Sequence, residues 1–168
     1  MDLSIQDWGA LGEIIGAAGV IATLLFLAVQ IRANTKESRL TATAEIARDY
    51  NTYLQHLTAD EDLSRLWRNA VDGDFQTLRD NEQARVVMIM GNFFRIMESA
   101  HIQYSWGRMD ESSWQGYERL IARSVGASAF THYWQLRASM HNEAFRTLID
   151  EARNHTDARP MFMVAREV

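Results

Sequence analysis

A long uncharged stretch near the N-terminus constrains this chain more than any other feature of its sequence. Sixteen consecutive uncharged residues lie between Glu13 and Gln30, within the sequence GEIIGAAGVIATLLFLAVQIRANTK of residues 12–36. A transmembrane helix needs about 20 mostly apolar residues, and residues 11–31 satisfy this requirement. Because no face of the stretch is polar, a soluble helix of this sequence would have to be covered on every side. The sequence therefore predicts a transmembrane helix over residues 11–31.

The charges that flank this helix predict its orientation. The N-terminal side carries acidic residues and no Lys or Arg, whereas the C-terminal side carries Arg32, Lys36 and Arg39. Positive residues favour the cytoplasmic side, so residues 1–10 are expected outside and residues 32–153 inside. Trp8 and the three basic residues are the predicted interface anchors. A signal peptide fits poorly, because the basic start that such peptides carry is missing.

Small residues recur on one stripe of the predicted span. Gly12, Gly16, Gly19 and Thr23 are spaced by four, three and four positions. Small side chains let two helix backbones approach closely in lipid, where packing drives association. This stripe predicts a homo-oligomer or docking to another membrane protein. Glu13 lies near the predicted outer interface, so we interpret it as a headgroup-level residue rather than a functional one.

The chain beyond the span reads as helical throughout. No Gly or Pro occurs between Val20 and Asp72, so the span is expected to continue as a helix into residues 33–57. The apolar face predicted for this continuation comprises Leu40, Ala44, Ala47, Tyr50, Leu54 and Leu57.

Further helix starts follow from capping residues. They are Thr58, which forms a capping box with Glu61, then Asp80, Asp110, Ser128 and Asn142. Gly73 is placed to end the second helix. The predicted fold class is all-α, with one N-terminal transmembrane helix that continues into a cytosolic antiparallel bundle of five or six helices, followed by a tail at residues 154–168.

The most suggestive candidate for chemistry is Glu98-Ser-Ala-His101. A Glu-x-x-His pair places both side chains on one helix face, as in carboxylate-bridged metal bundles, but such a site needs a second pair and two more Glu residues. The chain has only this one pair. We therefore predict no metal site and no catalytic residue. Glu98, His101 and Arg137 are instead predicted to form a buried polar cluster, since a buried Glu needs a partner, which Arg137 or another Arg could supply.

Composition excludes several functional classes. The net charge is −5 and no basic run occurs, which argues against a nucleic-acid partner. Cysteine is absent, which excludes disulfides, iron–sulfur clusters and thiolate zinc sites. The sequence contains no phosphate-binding or dinucleotide-binding loop, and no cofactor is expected.

Three segments of the chain resemble a group of uncharacterised bacterial proteins. They are residues 12–36, the helix of Leu63, Leu66 and Trp67, and the sequence THYWQLRASMHNEAFRTLIDE of residues 131–151. Members of that group have one N-terminal membrane helix and a helical cytosolic part, so the resemblance implies a location in the bacterial inner membrane. It carries over no catalytic residue.

Three functions remain open from the sequence. The first is a non-enzymatic single-span protein that acts by helix packing, as a homo-oligomer or as an accessory or scaffold subunit of a membrane complex. The second is a membrane-tethered enzyme or ligand sensor that uses the region of Glu98, His101 and Arg137. The third is an oligomeric pore, which is disfavoured because Thr23 and Gln30 are the only polar residues deep in the span.

Overall fold

The chain is built from helices connected by short turns. A computed structural model describes residues 5–154, and within the first helix it describes the side chains from Gly12 onward. Residues 5–154 form six α-helices and no strand, namely α1 (Ile5–Thr58), α2 (Glu61–Asp72), α3 (Asp80–Ser105), α4 (Glu111–Ser124), α5 (Ser128–Arg137) and α6 (Glu143–Asn154). Short 3₁₀ turns follow α2 and α5, at Phe75–Thr77 and Ala138–Met140. The predicted all-α class is confirmed, whereas most of the predicted tail lies outside the described residues.

Helix α1 is 54 residues long and unbroken, as the lack of Gly and Pro after Val20 predicts. The chain divides into two compact units, Met1–Leu40 and Thr41–Val168, and the boundary falls within this helix. The first unit contains the apolar stretch. The second contains the end of α1 and helices α2 to α6.

Helix α3 supplies the centre of the core in the second unit. Phe94 is fully buried, and its ring lies 4.1 Å from that of Phe130, 4.6 Å from Tyr133 and 5.1 Å from Trp134. Burying one such side chain stabilises a fold by about 1.5–3 kcal/mol. The nearly all-apolar middle of α3 predicts this central position, because a helix that is apolar on every side must be covered on every side.

The face that α1 presents to this core differs from the predicted one. Ala42, Ile46, Tyr53 and Leu57 are buried, whereas the predicted Leu40 and Leu54 are 65% and 37% exposed and Ala44 is also exposed. Of the predicted face, Leu57 is buried and Ala47 and Tyr50 are half-buried. The two faces differ by a rotation of about 100°, the angle between neighbouring residues of a helix.

Tyr53 explains this rotation. Its ring packs edge-on against Trp67 at 6.0 Å and also contacts Phe93 at 6.1 Å. Large aromatic side chains bury more apolar area than Ala and Leu, so they decide which face turns inward.

The start of α2 was predicted at the wrong residue. Asp60 is the N-cap, and its Oδ1 accepts a hydrogen bond of 2.8 Å from the backbone N–H of Leu63. Thr58 is the last residue of α1, and its hydroxyl donates to the carbonyl of Leu54 at 3.0 Å. The predicted capping box of Thr58 and Glu61 is therefore wrong, because Thr58 still belongs to α1 and the N-cap of α2 lies two residues later, at Asp60.

Two other predicted caps differ in detail. Arg79 precedes α3, and its backbone N–H donates to Glu82 Oε2 at 3.0 Å, while Asp80 is the first helical residue. Ser128 is the first residue of α5 rather than its cap. Its hydroxyl oxygen instead accepts a bond of 2.8 Å from the backbone N–H of Phe75, which ties the 3₁₀ turn to α5.

The caps of α4 and α6 are confirmed. Asp110 Oδ1 accepts from the Ser113 backbone N–H at 3.0 Å, and Asn142 Oδ1 accepts from the Phe145 backbone N–H at 2.8 Å. Both side chains satisfy an N–H group that the first turn of a helix leaves without a partner.

Gly73 follows α2, as predicted. A Cβ atom at this position would lie 2.5 Å from the carbonyl oxygen of Asn69, which is a backbone atom that cannot move aside. Glycine is therefore required by this close approach of two backbone segments.

Candidate functional site

The large apolar side chains of the apolar stretch of α1 are exposed, because no other described part of the chain covers them. Ten large apolar residues between Ile14 and Ile31 are 46–67% exposed. None of the most apolar part of this helix is buried. The described residues thus contain one helix near the N-terminus that is long and apolar enough to cross a membrane.

The small-residue stripe lies open along this helix. Apart from its chain neighbours and the adjacent backbone of its own helix, a Cβ atom added at Gly12, Gly16 or Gly19 would meet no described atom within 4 Å. Thr23 turns its hydroxyl back to its own helix and donates to the carbonyl of Gly19 at 2.8 Å. The stripe therefore presents small side chains and backbone, with its one hydroxyl already paired.

The predicted anchors flank the apolar stretch. Arg32, Lys36 and Arg39 are exposed, and all three lie in α1. Trp8 also lies in α1, but its side chain is outside the described residues.

Glu98 is the centre of a buried polar cluster in the second unit. Its side chain is 7% exposed, and its two oxygens accept four hydrogen bonds. Oε2 accepts from His141 Nδ1 at 2.9 Å and from Arg95 at 3.0 Å. Oε1 accepts from the backbone N–H of Asn142 at 2.7 Å and from its side-chain amide at 2.9 Å. The carboxylate therefore lies at the N-terminus of α6, where exposed N–H groups and the helix dipole favour a negative charge.

These contacts set the ionisation of Glu98. Burial by itself raises the pKa of a carboxyl group, but the hydrogen bonds from Asn142 and His141 and the charges of His141 and Arg95 outweigh it. The pKa of Glu98 is consequently held below its usual value. The carboxylate is ionised at neutral pH, and its four main acceptor positions are occupied.

His141 extends the cluster into the aromatic core. Its side chain is fully buried, and Nε2 lies 3.1 Å from the Tyr133 hydroxyl. Since an ionised carboxylate only accepts, Nδ1 of His141 carries a proton towards Glu98. The other ring nitrogen, Nε2, is paired with the Tyr133 hydroxyl. The chain Tyr133–His141–Glu98–Arg95 leads from the core to the surface, where Arg95 is 58% exposed.

The predicted members of the cluster are only partly brought together. Glu98 is buried, whereas Arg137 is exposed and lies outside the cluster, and another arginine, Arg95, binds Glu98 instead. Arg137 lies at the end of α5, whereas the groups that bind Glu98 come from α3 and the start of α6. His101 is half-buried between the rings of Trp114 and Phe145, at 5.4 and 6.0 Å. Burial lowers the pKa of His101, against the opposing effect of the Glu98 charge.

Sequence reasoning missed His141 and Asn142 as the main partners of Glu98. One signal for them was present, because Asn142 was identified as a helix cap. The first N–H groups of a helix can bind an anion. A buried carboxylate is an anion that has lost its water, so the N-terminus of a helix is a suitable partner for it.

A polar cleft of about 300 Å³ lies beside Arg95, between α1 and α3. Its polar lining includes Asp49, Thr52, His56, Asn92, Arg95 and Ser99. Tyr53 also lines it, and the Tyr53 hydroxyl is buried without a hydrogen-bond partner among the described residues. A cleft with one guanidinium, one side-chain amide and several hydroxyls has donors that a small anionic ligand requires, although Asp49 adds one negative charge to its lining.

Among the side chains that the structure describes, no group of three or more acidic, His or Cys residues is placed to hold a metal ion. Comparison with family models, curated proteins and solved structures finds no match to this chain. The resemblance to uncharacterised bacterial proteins therefore stays a prediction.

Proposed function

We propose that the chain is a single-span protein of a bacterial inner membrane that acts by helix packing. It functions as a homo-oligomer, or as an accessory or scaffold subunit of a larger membrane complex. Its N-terminus lies outside and residues 32–153 lie in the cytoplasm. Its partners are the lipid bilayer and either copies of itself or other membrane-protein subunits.

The observation that carries this proposal is the uncovered apolar surface of α1. Ten large apolar side chains on residues 14–31 remain 46–67% exposed. Fully covering a side chain of this kind is worth about 1.5–3 kcal/mol, so covering the exposed half or more of all ten represents on the order of 10 kcal/mol. That is comparable to the net stability of most domains, about 5–15 kcal/mol. Lipid is the solvent that covers such a surface on every side.

Helix packing is supported by the open stripe of Gly12, Gly16, Gly19 and Thr23. Close approach of a second helix meets only small side chains there, and no described atom of the same chain occupies the space. Orientation is supported by the exposed Arg32, Lys36 and Arg39 on one flank of the span.

The saturated carboxylate of Glu98 supports a structural rather than catalytic role for the buried cluster. A general base or a metal ligand needs a lone pair directed at its substrate or ion. Both oxygens of Glu98 are already engaged by two bonds each. Tyr133 and His141 are buried as well, so a substrate would have to displace core packing to reach them.

A membrane-tethered ligand sensor is the second candidate, and the cleft beside Arg95 favours it. Arg95 lines the cleft and binds Glu98, so an anion on Arg95 would compete with the Glu98 carboxylate for the guanidinium. Stoichiometric iron, manganese or zinc in protein purified without chelator would favour the enzyme form of this alternative. The oligomeric pore is supported less, because the Thr23 hydroxyl is paired with its own helix.

The proposal is tested by the mass of the particle after extraction in mild detergent. A mass equal to a small multiple of 19.3 kDa, after subtraction of detergent, indicates a homo-oligomer, and other chains in the particle indicate an accessory subunit. A reporter enzyme that is active only in the cytoplasm, fused after Val168, is expected to be active. A monomeric particle without partners would contradict packing, and activity of a periplasm-only reporter would contradict the orientation.

A further inference from the structure

Three exposed cations form a single face of α1 just beyond the apolar stretch. Arg32, Lys36 and Arg39 are spaced by four and three residues, which places them within about 60° of one another around the helix. Glu37 lies about 100° from Lys36 and therefore points away from this basic face. The three side chains form one positively charged surface of about two turns.

No acidic side chain neutralises the basic face from within the helix. Side chains interact along a helix at spacings of three and four. At those spacings Arg32, Lys36 and Arg39 meet only one another and the uncharged Ala28, Val29, Ala33, Thr35, Leu40, Ala42 and Thr43. Like charges at these spacings repel, so the arrangement is unfavourable in water and is relieved by a bound anion.

We infer that the basic face of Arg32, Lys36 and Arg39 binds the headgroups of anionic phospholipids. This inference rests on the proposed membrane span, which ends next to the face and holds it at headgroup depth. Arg binds phosphate with a planar fork of donors, and both Arg and Lys are attracted to a negatively charged leaflet. Zwitterionic lipids offer a phosphate together with a compensating cation, so they bind the face less tightly.

The test compares phosphatidylglycerol with phosphatidylcholine on the detergent-solubilised full-length chain, with bound lipid counted by native mass spectrometry. Tighter binding of phosphatidylglycerol is expected for the unaltered chain, and 0.5 M salt should remove the preference by screening. Each of Arg32→Gln, Lys36→Gln and Arg39→Gln should weaken phosphatidylglycerol binding about fivefold, which corresponds to about 1 kcal/mol per residue. The triple variant should lose about 100-fold. Gln preserves helix propensity, and circular dichroism checks the helix.

A triple variant at other exposed arginines is the matched control. Arg85→Gln, Arg119→Gln and Arg123→Gln remove the same charge from exposed positions of α3 and α4, and they should leave lipid binding unchanged. Equal loss in both triple variants would overturn the inference, because net charge rather than the basic face would then govern binding. Equal binding of the two lipids by the unaltered chain would overturn it as well.

Two further measurements complete the test. One distinguishes a headgroup site from a site for free anions, and the other distinguishes failure of the lipid inference from failure of the proposed transmembrane span. Displacement of the lipid by millimolar inorganic phosphate would overturn the inference in favour of a free-anion site. If the chain purifies without detergent, the proposed span fails independently of the lipid result. Binding of such a soluble chain to phosphatidylglycerol vesicles, lost in the Arg32, Lys36 and Arg39 variant, would still support the basic face as a headgroup site.

Discussion

Glu98 shows how a charged side chain is accommodated in the core. Removing a carboxylate from water costs several kcal/mol, and the group stays ionised only when hydrogen bonds replace the lost water. Asn142, His141 and Arg95 supply four such bonds. The three partners do not contribute equally, because Arg95 is more than half exposed and its ion pair is screened by solvent.

Substitution of Glu98 should therefore destabilise the helical unit more than substitution of Arg95. Glu98→Gln replaces a carboxylate, which only accepts hydrogen bonds, with an amide whose NH₂ group must donate. That NH₂ group would face groups that are themselves hydrogen-bond donors. The expected loss is about 1–3 kcal/mol, whereas Arg95→Gln should lose under about 1 kcal/mol. Thermal unfolding in detergent measures both, with the exposed Glu118→Gln as a control that should change little. Equal losses at Glu98 and Arg95 would mean that the surface ion pair dominates the cluster.

The same carboxylate predicts a pH dependence. The folded-state pKa of Glu98 lies below its ordinary value of 4.5, so the unfolded chain binds the proton more readily. Its contribution to stability is complete above about pH 4.5 and is lost as the pH falls below that value. The stability difference between the unaltered chain and Glu98→Gln should be largest at neutral pH and shrink in acid. A difference that grows as the pH falls would show that the pKa is raised instead.

For single residues, the sequence indicated that Glu98 needs a hydrogen-bond donor, but it did not indicate which residue supplies it. The position of Glu98 on the inward face of α3 indicated a buried carboxylate that requires a donor. The donor is His141, 43 residues away, together with the start of α6. Which helix end lies against Glu98 depends on the packing of α3 and α6, and no local pattern specifies it.

At the scale of the helices, substitutions in the turn between α1 and α2 test whether Asp60 or Thr58 caps α2. Asp60→Ala removes the acceptor of the Leu63 N–H and should cost about 0.5–2 kcal/mol. Thr58→Ala removes only a bond from an exposed hydroxyl to the preceding turn and should cost under about 0.5 kcal/mol. Both are measured by unfolding under the same conditions. The opposite order of losses would restore Thr58 as the cap.

The sequence predicted where helices form, but it did not predict which face of α1 turns towards the core. Asp110 and Asn142 were found from sequence because a cap acts on N–H groups only two or three residues away. The inward face of α1 was missed because Ala44, Ala47 and Leu54 form an equally regular apolar pattern. Contact of Tyr53 with Trp67 and Phe93 decides between the two faces, and that contact joins distant parts of the chain.

For the whole molecule, a substitution in the small-residue stripe tests whether the chain associates through its transmembrane span. A Cβ atom at Gly16 meets nothing within 4 Å, so Gly16→Leu has room within the described chain. Any effect on assembly then reports contact with another chain. Gly16→Leu should weaken association by about 1–3 kcal/mol, the cost of overpacking a close interface, while Val20→Leu should change little.

Both variants are compared by native mass or cross-linking in one detergent. If Gly16→Leu assembles as well as the unaltered chain, the stripe is not an interface. Association would then have to use another surface, such as the exposed face of α1 that carries Ala44 and Leu54.

The residence of α1 in a bilayer is the claim on which the proposed packing and lipid binding both depend. Alkaline carbonate extraction of membranes from cells that express the full-length chain tests it most directly, because it strips peripheral proteins and leaves spanning helices in place. The uncovered apolar surface of residues 14–31 predicts that the chain stays in the membrane pellet and is released only by detergent. Recovery of the chain in the soluble fraction, folded and without detergent, would contradict the transmembrane assignment.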